Sequence, residues 1–109
     1  MKTSELTGAA LDWAVAKCEG HAVNVGFRNL TYTPKGKRTL YKYMPSTNWA
    51  QGGPIIERER FEFRQAKTGM LASYQGGQTW FGPTPLIAAM RCYVASKLGD
   101  NIDIPKELT

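Results

Sequence analysis

The sequence predicts an α+β protein in which a small, mostly antiparallel sheet packs with an N-terminal and a C-terminal helix. Two observations carry this prediction: apolar segments of helical period lie near both ends of the chain, and short β-prone stretches broken by turn formers lie between them. A chain of 109 residues, 42% of them hydrophobic, can bury a core without disulfides or metals. One domain over residues 1–109 is therefore expected.

The first helix is predicted to begin after Ser4 or Thr7 and to end at Gly20, since these residue types favour helix starts and stops. One face carries small and apolar side chains, and the opposite face carries two acids. The apolar face consists of Leu11, Ala14, Val15 and Cys18, and the acids are Asp12 and Glu19. His21 follows the helix, where it can complement the helix C-terminus.

The middle of the chain is predicted to contain strands. Residues 22–27 are β-prone, and residues 32 and 39–44 form a hairpin around a turn at 33–37. Residues 45–54, here called the central loop, are rich in turn formers. A short helix at 55–60 should then begin with Pro54, followed by strands at 61–63 and 70–74.

The best-defined element is the last helix. After a glycine-rich loop at 75–83, Thr84 is a natural N-cap, Pro85 fits the first helical position and Gly99 fits the end, so a helix from about Pro85 to Leu98 is predicted. Its apolar stripe predicts an inner face made of Leu86, Ile87, Met90, Tyr93, Val94 and Leu98. The tail at 102–108 is expected to add an edge strand.

Charge is unevenly distributed along the chain. The net charge is +5, and residues 20–56 contain no Asp or Glu. The five basic residues of that segment are Arg28, Lys35, Lys37, Arg38 and Lys42. They predict either a basic patch for an anionic partner or a solubilising hairpin tip.

Known catalytic and metal-binding motifs are absent from the sequence, so neither a catalytic residue, a metal nor a cofactor is predicted. Cys18 and Cys92 lack the spacing of a zinc site and are expected to be reduced, buried thiols. Glu57, Glu59 and Glu62 alternate with arginines, which favours ion pairing over acid catalysis. No signal peptide or apolar stretch of membrane-spanning length occurs, so the expected location is the cytoplasm of a bacterial host.

A ligand site is predicted where glycine and proline precede helices, because helix starts expose N–H groups that attract anions. Trp49 and Trp80 could flank such a site and stack on a base. The candidate ligand-binding residues are Ser46, Thr47, Asn48, Trp49, Gly52, Gly53, Trp80, Gly82 and Thr84. The alternative is that glycine and proline only start the helices and the tryptophans fill the core.

Three runs of this sequence resemble the NinX-like proteins of tailed phages and prophages. They are residues 6–16 (LTGAALDWAVA), 43–57 (YMPSTNWAQGGPIIE) and 82–91 (GPTPLIAAMR). The resemblance implies a phage or prophage origin without implying a particular activity. Where this chain has Asn48, the family pattern favours aspartate; the amide still offers hydrogen-bond donors and acceptors.

Three non-enzymatic functions remain open from the sequence, and an enzyme is ranked fourth, below them. The leading one is a non-enzymatic phage accessory protein that binds a small anionic ligand, such as a nucleotide, between the central loop and the last helix. The second is a protein-interaction factor that contacts a phage or host protein through Tyr32, Tyr41 and Tyr43. The third is weak, non-specific nucleic-acid binding by the basic residues; sequence-specific binding is not expected, because no recognition motif is present.

Overall fold

The computed structural model describes residues 1–27 and 29–109. These residues form three α-helices and two antiparallel three-stranded sheets. The helices are α1 (Gly8–Glu19), α2 (Trp49–Glu59) and α3 (Pro85–Leu98). The first sheet contains β1 (Asn24–Gly26), β2 (Asn29–Tyr32) and β3 (Tyr41–Lys42), and the second contains β4 (Glu62–Gln65), β5 (Met70–Ser73) and β6 (Trp80–Gly82). The α+β class is confirmed, but the strands form two sheets and not the single sheet predicted.

Helix α3 begins and ends as predicted. Thr84 Oγ1 accepts a hydrogen bond from the Ile87 N–H at 3.2 Å, Pro85 occupies the first position, and Gly99 ends the helix with a φ of 89°. All residues from 86 to 94 are buried, because α1, α2, β5 and β6 all pack against α3. Leu98, assigned to the inner face, is instead 41% exposed at the end of the helix.

Helix α1 packs against α3 and β2. Its apolar residues Leu11, Ala14 and Val15 are buried as predicted, and Gly20 ends the helix in the left-handed conformation with a φ of 76°. Asp12 was assigned to the polar face but is only 3% exposed. The assignment failed because the central loop, distant in sequence, covers this side of the helix.

Helix α2 differs most from the sequence prediction. It starts at Trp49 and not near residue 55, because Asn48 caps it: Asn48 Oδ1 accepts the Ala50 N–H at 2.8 Å. Gly53 and Pro54 therefore lie inside the helix. Pro54 cannot donate to the carbonyl of Ala50, but Ala50 is at the surface, where water can satisfy that oxygen.

The hairpin between β2 and β3 is confirmed, with Thr31 opposite Lys42 and Tyr32 opposite Tyr41. The connection is longer than expected and spans residues 33–40, and β3 has only two residues. The Tyr43 N–H donates to the Leu30 carbonyl at 3.0 Å, which extends the pairing beyond β3.

In the second sheet, β4 and β5 correspond to the predicted strands. β6 was missed because it is three residues long and lies within the glycine-rich stretch 75–83. The predicted edge strand at 102–108 is wrong: the tail makes a single bridge, Lys2 to Asn101, and then a 3-10 turn at Lys106–Leu108. The tail is held by the burial of Ile102 and Leu108.

Candidate ligand-binding site

The central loop is fixed to α1 by a buried carboxylate. The Ser46 N–H donates to Asp12 Oδ1 at 2.8 Å, and both residues are almost fully buried. Burial raises the pKa of the Asp12 carboxyl to about 6, although contacts with the Ser46 side chain and N–H lower it. The Ser46 hydroxyl lies close enough to influence that carboxyl but makes no hydrogen bond of good geometry.

Most of the remaining N–H groups of the central loop bond within the protein. Gln51 Oε1 accepts the Met44 N–H at 2.6 Å, and the Met44 carbonyl accepts from Thr47 and Asn48 at 3.1 and 2.9 Å. The loop polar groups do need partners, as the sequence suggested. Those partners are other parts of the chain, and they leave Ser46 and Asn48 in structural roles.

The starts of α2 and α3 offer few of the free amides on which the anion prediction depended: within the described residues, the N–H groups of Trp49 and Leu86 are left without a partner. At α3, Pro85 has no N–H, Ile87 donates to the Thr84 side chain, and Ala88 donates to the Thr84 carbonyl at 3.0 Å. At α2, the Asn48 side chain and carbonyl accept the N–H groups of residues 50, 51 and 52. An aspartate at position 48 would cap the helix equally well, so the amide keeps that role.

The central loop folds against the start of α3, but the contact leaves no room for a ligand. A Cβ on Gly52 would lie 2.3 Å from the Pro45 carbonyl oxygen and 2.6 Å from Leu86 Cδ2. Gly82 is similarly buried, since its Cβ would lie 2.3 Å from the Ala88 nitrogen. Both glycines were predicted to let a ligand approach the backbone closely. In the fold they instead let neighbouring segments of the chain approach.

The two tryptophans lie in different environments. Trp49 is 57% exposed on the first turn of α2, so it does not fill the core. Trp80 is half-buried against the core and faces Cys92 and Ser96. These residues lie eight and twelve positions beyond Thr84, roughly 12–18 Å along α3. The predicted site flanked by both indoles and by Thr84 is therefore not formed.

Trp80 instead lines two adjoining cavities of about 270 and 370 Å³ that share Gln78, Trp80 and Asp100. We call this region the Trp80 cleft. One end is formed by α3 and the loop that follows β5, and its lining includes Tyr74, Cys92 and Ser96. The other end is formed by the N-terminal residues and the segment after α3, and its lining includes Lys2, Ser4 and Asn101.

Two polar side chains of the Trp80 cleft are available to a ligand, whereas Tyr74 and Ser96 already have partners within the protein. In the described part of the chain, the Gln78 amide and the Asp100 carboxylate make no side-chain hydrogen bond or ion pair. The backbone of Asp100 is tied to the N-terminal segment, since the Thr3 N–H donates to the Asp100 carbonyl at 2.8 Å. Burial raises the pKa of the Cys92 thiol to about 11, so this thiol stays protonated near neutral pH.

Sequence reasoning selected Trp80 but missed Gln78, Asp100 and Lys2. Gln78 could have been predicted as a site residue from the sequence, because it lies two residues before Trp80 in the glycine-rich stretch 75–83. Lys2 and Asp100 could not have been predicted in this way, since they come together only when the two ends of the chain pair.

Thr47 lines a separate cavity of about 170 Å³ with Asp12 and Lys42, at the start of α1.

The tyrosine surface proposed for a protein partner is mostly internal. Tyr43 is 4% exposed and packs edge-on against Tyr32, with ring centroids 4.7 Å apart. The His21 ring lies beside both tyrosine rings, with centroid distances of 5.2 and 5.4 Å, so His21 contacts these aromatic side chains after α1. Of the three tyrosines, only Tyr41 presents a large exposed surface.

Among the described residues, Glu59 is the one glutamate of α2 held by ion pairing, and Glu57 and Glu62 form no ion pair. Arg58 bonds Glu19 through both terminal nitrogens, at 3.0 and 2.6 Å, and bonds Glu59 at 2.9 Å. For Glu59, burial raises the pKa, but hydrogen bonds from Arg58 and Tyr74 outweigh burial and leave the pKa below its usual range. A carboxylate held in this way is a poor proton donor.

The basic residues remain at the surface: Lys35, Lys37, Arg38 and Lys42 are all exposed. Arg28, the fifth member of the predicted patch, lies outside the described residues.

Both cysteines are free, as expected; Cys92 is buried and Cys18 is partly buried. Among the described residues, no helix is both long and apolar enough to cross a membrane.

The three runs that carry the family resemblance contact one another in a closed ring. Asp12 of the first run accepts from Ser46 of the second, and Gly52 of the second packs on Leu86 of the third. Arg91 of the third run donates to the Leu6 carbonyl of the first at 2.8 Å. The resemblance therefore covers the residues that join α1, α2 and α3.

The fold and this ring define a small α+β protein with three interlocked helices and an open cleft beside the last of them. The chain belongs to the family described as Bacteriophage P22, NinX, whose model matches residues 2–97. This membership confirms the resemblance and identifies a phage accessory protein. No protein among the curated ones is a significant match.

Proposed function

We propose that this phage accessory protein acts by binding, without catalysis, and that its ligand is a small anionic molecule such as a nucleotide held in the Trp80 cleft. The observation that carries the proposal is the grouping of Trp80, Gln78 and Asp100 around two adjoining cavities. Each cavity is near the lower end of the ~300–1,000 Å³ range of small-molecule sites. Nucleotides are plentiful in the bacterial cytoplasm, the location proposed for this protein.

The chemistry of the cleft fits a base better than a simple anion. An indole face stacks on a base, and stacking contributes ~1–3 kcal/mol. The Asp100 carboxylate can accept from an exocyclic amino group, and the Gln78 amide can both donate and accept. Lys2 stands at the far end of the cleft, where its ammonium can pair with a phosphate. A base over Trp80 with its phosphate toward Lys2 uses every one of these groups.

The test compares ligand-induced stabilisation in matched variants. Adenosine, cytidine, guanosine and uridine nucleotides are titrated while the melting temperature is followed. A ligand at ~100 times its dissociation constant adds ~2.7 kcal/mol of stability. Nucleotides with an exocyclic amino group should stabilise the protein more than uridine nucleotides.

Gln78→Ala and Asp100→Ala remove exposed side chains without breaking a bond in the described structure, and Gln75→Ala and Asp103→Ala are their controls outside the cleft. Loss of a hydrogen bond to a charged group should weaken binding on the order of tenfold or more in Asp100→Ala. Both controls should bind like the parent. The proposal fails if no nucleotide raises the melting temperature, or if the controls lose as much affinity as the cleft variants.

A further inference from the structure

The connection between β2 and β3 is exposed and strongly positive. Lys35, Lys37 and Arg38 lie in this connection, Lys42 lies on β3, and all four side chains are exposed. We call these four residues the basic hairpin. Among the described residues, none of the four forms an ion pair or a side-chain hydrogen bond. Because residues 20–56 contain no acid, these charges have no neutralising neighbour in sequence either.

Large apolar side chains accompany these charges. Leu40 is 60% exposed and Tyr41 is 46% exposed, both on the hairpin itself. Trp49 is 57% exposed and begins α2. The first turn of α2 is fixed to the base of the hairpin, since Gln51 Nε2 donates to the Lys42 carbonyl at 2.8 Å and Gln51 Oε1 accepts from Met44.

We propose that the basic hairpin, together with Tyr41 and Trp49, is a sequence-independent binding surface for single-stranded nucleic acid. Lysine and arginine neutralise the phosphates, and exposed aromatic rings stack on bases. A duplex would also pair its phosphates with the basic residues, but its bases are stacked inside the helix and cannot stack on Tyr41 or Trp49. An acidic protein surface would also pair with the basic residues, but its carboxylates give Trp49 and Tyr41 nothing on which to stack.

This surface and the Trp80 cleft share no residue, so the two proposals stand or fall separately. Four phosphate contacts predict a defined dependence on salt. With a slope of ~0.7 per contact for single strands, affinity should fall roughly 50-fold between about 50 and about 200 mM salt.

The experiment measures fluorescence anisotropy of a labelled oligothymidylate of about 20 nucleotides, which covers the ~4–16-nucleotide span of typical single-strand sites. The test variant carries Lys35→Gln, Lys37→Gln and Arg38→Gln. The control variant removes the same charge elsewhere, through Arg64→Gln, Lys67→Gln and Lys106→Gln, all exposed. We expect the hairpin variant to lose at least about tenfold in affinity at low salt and the control to lose much less.

Trp49→Leu and Tyr41→Leu test the stacking contribution and should each weaken binding roughly 5- to 150-fold, the range that one stacked base represents. Gln78→Ala, which alters only the cleft, should leave this binding unchanged. Equal loss in the two triple variants would overturn the assignment to the hairpin. Equal or tighter binding of a duplex of the same length, or equal competition by polyglutamate, would overturn the assignment to single-stranded nucleic acid.

Discussion

Asp12 is a single residue on which the position of the central loop depends. It is 3% exposed, and its carboxylate is the acceptor for the Ser46 N–H. Burying a carboxylate costs free energy when the group is ionised, which is why the pKa of Asp12 rises from 3.8 to about 6. At neutral pH the protein therefore keeps a charged group in its interior to hold a loop in place.

The stability of the fold should depend on pH through Asp12. Because the folded state binds this proton more tightly than the unfolded state, the stabilisation is complete below about pH 4 and is lost as the pH rises through about 6. The difference between the two pKa values corresponds to ~2–3 kcal/mol. Asp12→Asn cannot titrate, so its stability relative to the parent should improve by that amount from pH 4 to pH 7.5.

Urea melts at several pH values measure this difference, with Glu5→Gln as the control at an exposed carboxylate. If the difference in unfolding free energy between the parent and Asp12→Asn stayed constant from pH 4 to 7.5, folding would not raise the pKa of Asp12.

Gly52 and Gly53 are adjacent in α2 but should respond in opposite ways to substitution by alanine. The Cβ of Gly52→Ala would collide with Pro45 and Leu86, and such overpacking typically costs ~1–3 kcal/mol. The Cβ of Gly53→Ala would meet only a Trp49 ring atom at 3.8 Å. Alanine is favoured over glycine by ~0.5–1 kcal/mol inside a helix, so this variant should be more stable than the parent.

Chemical denaturation of the two variants measures both changes. A Gly52→Ala protein as stable as the parent would mean that Gly52 does not approach Pro45 and Leu86 as closely as these distances indicate.

At the level of elements, α3 and α2 show what the sequence can and cannot predict. Thr84, Pro85 and Gly99 act within a few residues of the helix they bound, so both ends of α3 could be read from sequence. In α2, Gly52 is required by contacts with Pro45 and Leu86, which no local pattern reveals. The same limit explains Asp12, whose partner is 34 residues away, and the division of the strands into two sheets.

The inner face of α3 should carry a large part of the stability. Ile87 is 8% exposed within the core, and replacing it by alanine should cost ~2–5 kcal/mol. Leu98, on the same helix, is 41% exposed, so Leu98→Ala should cost much less. The comparison uses urea melts of both variants, and equal losses would contradict the burial pattern of α3.

At the scale of the whole molecule, the two ends of the chain are joined. The Met1 amino group donates to the Ile102 carbonyl at 2.9 Å, and Thr3 Oγ1 donates to the Gly99 carbonyl at 2.6 Å. Arg91 adds a buried link from α3 to Leu6 and to the Phe81 carbonyl. These contacts also form one end of the Trp80 cleft, so the proposed ligand site depends on closure of the chain ends.

Thr3→Val should therefore destabilise the fold. Valine fills the same space but leaves the partly buried Gly99 carbonyl without its donor, and losing such a hydrogen bond costs ~0.5–1.5 kcal/mol. Thr7→Val is the control, because Thr7 is exposed and its side chain makes no capping hydrogen bond. If thermal melts gave the two variants equal stability, the link between the chain ends would contribute nothing measurable.

The pairing of α1 with α3 has a consequence for synthesis on the ribosome. α1 is made early, yet the residues that cover it and hold the segment before it lie at the far end of the sequence. Those contacts form only after the chain has closed a loop of about 96 residues between Thr3 and Gly99. This closure slows folding relative to a protein built from local contacts. Helix α1 therefore lacks its α3 partner until the segment that forms α3 has left the exit tunnel of the ribosome.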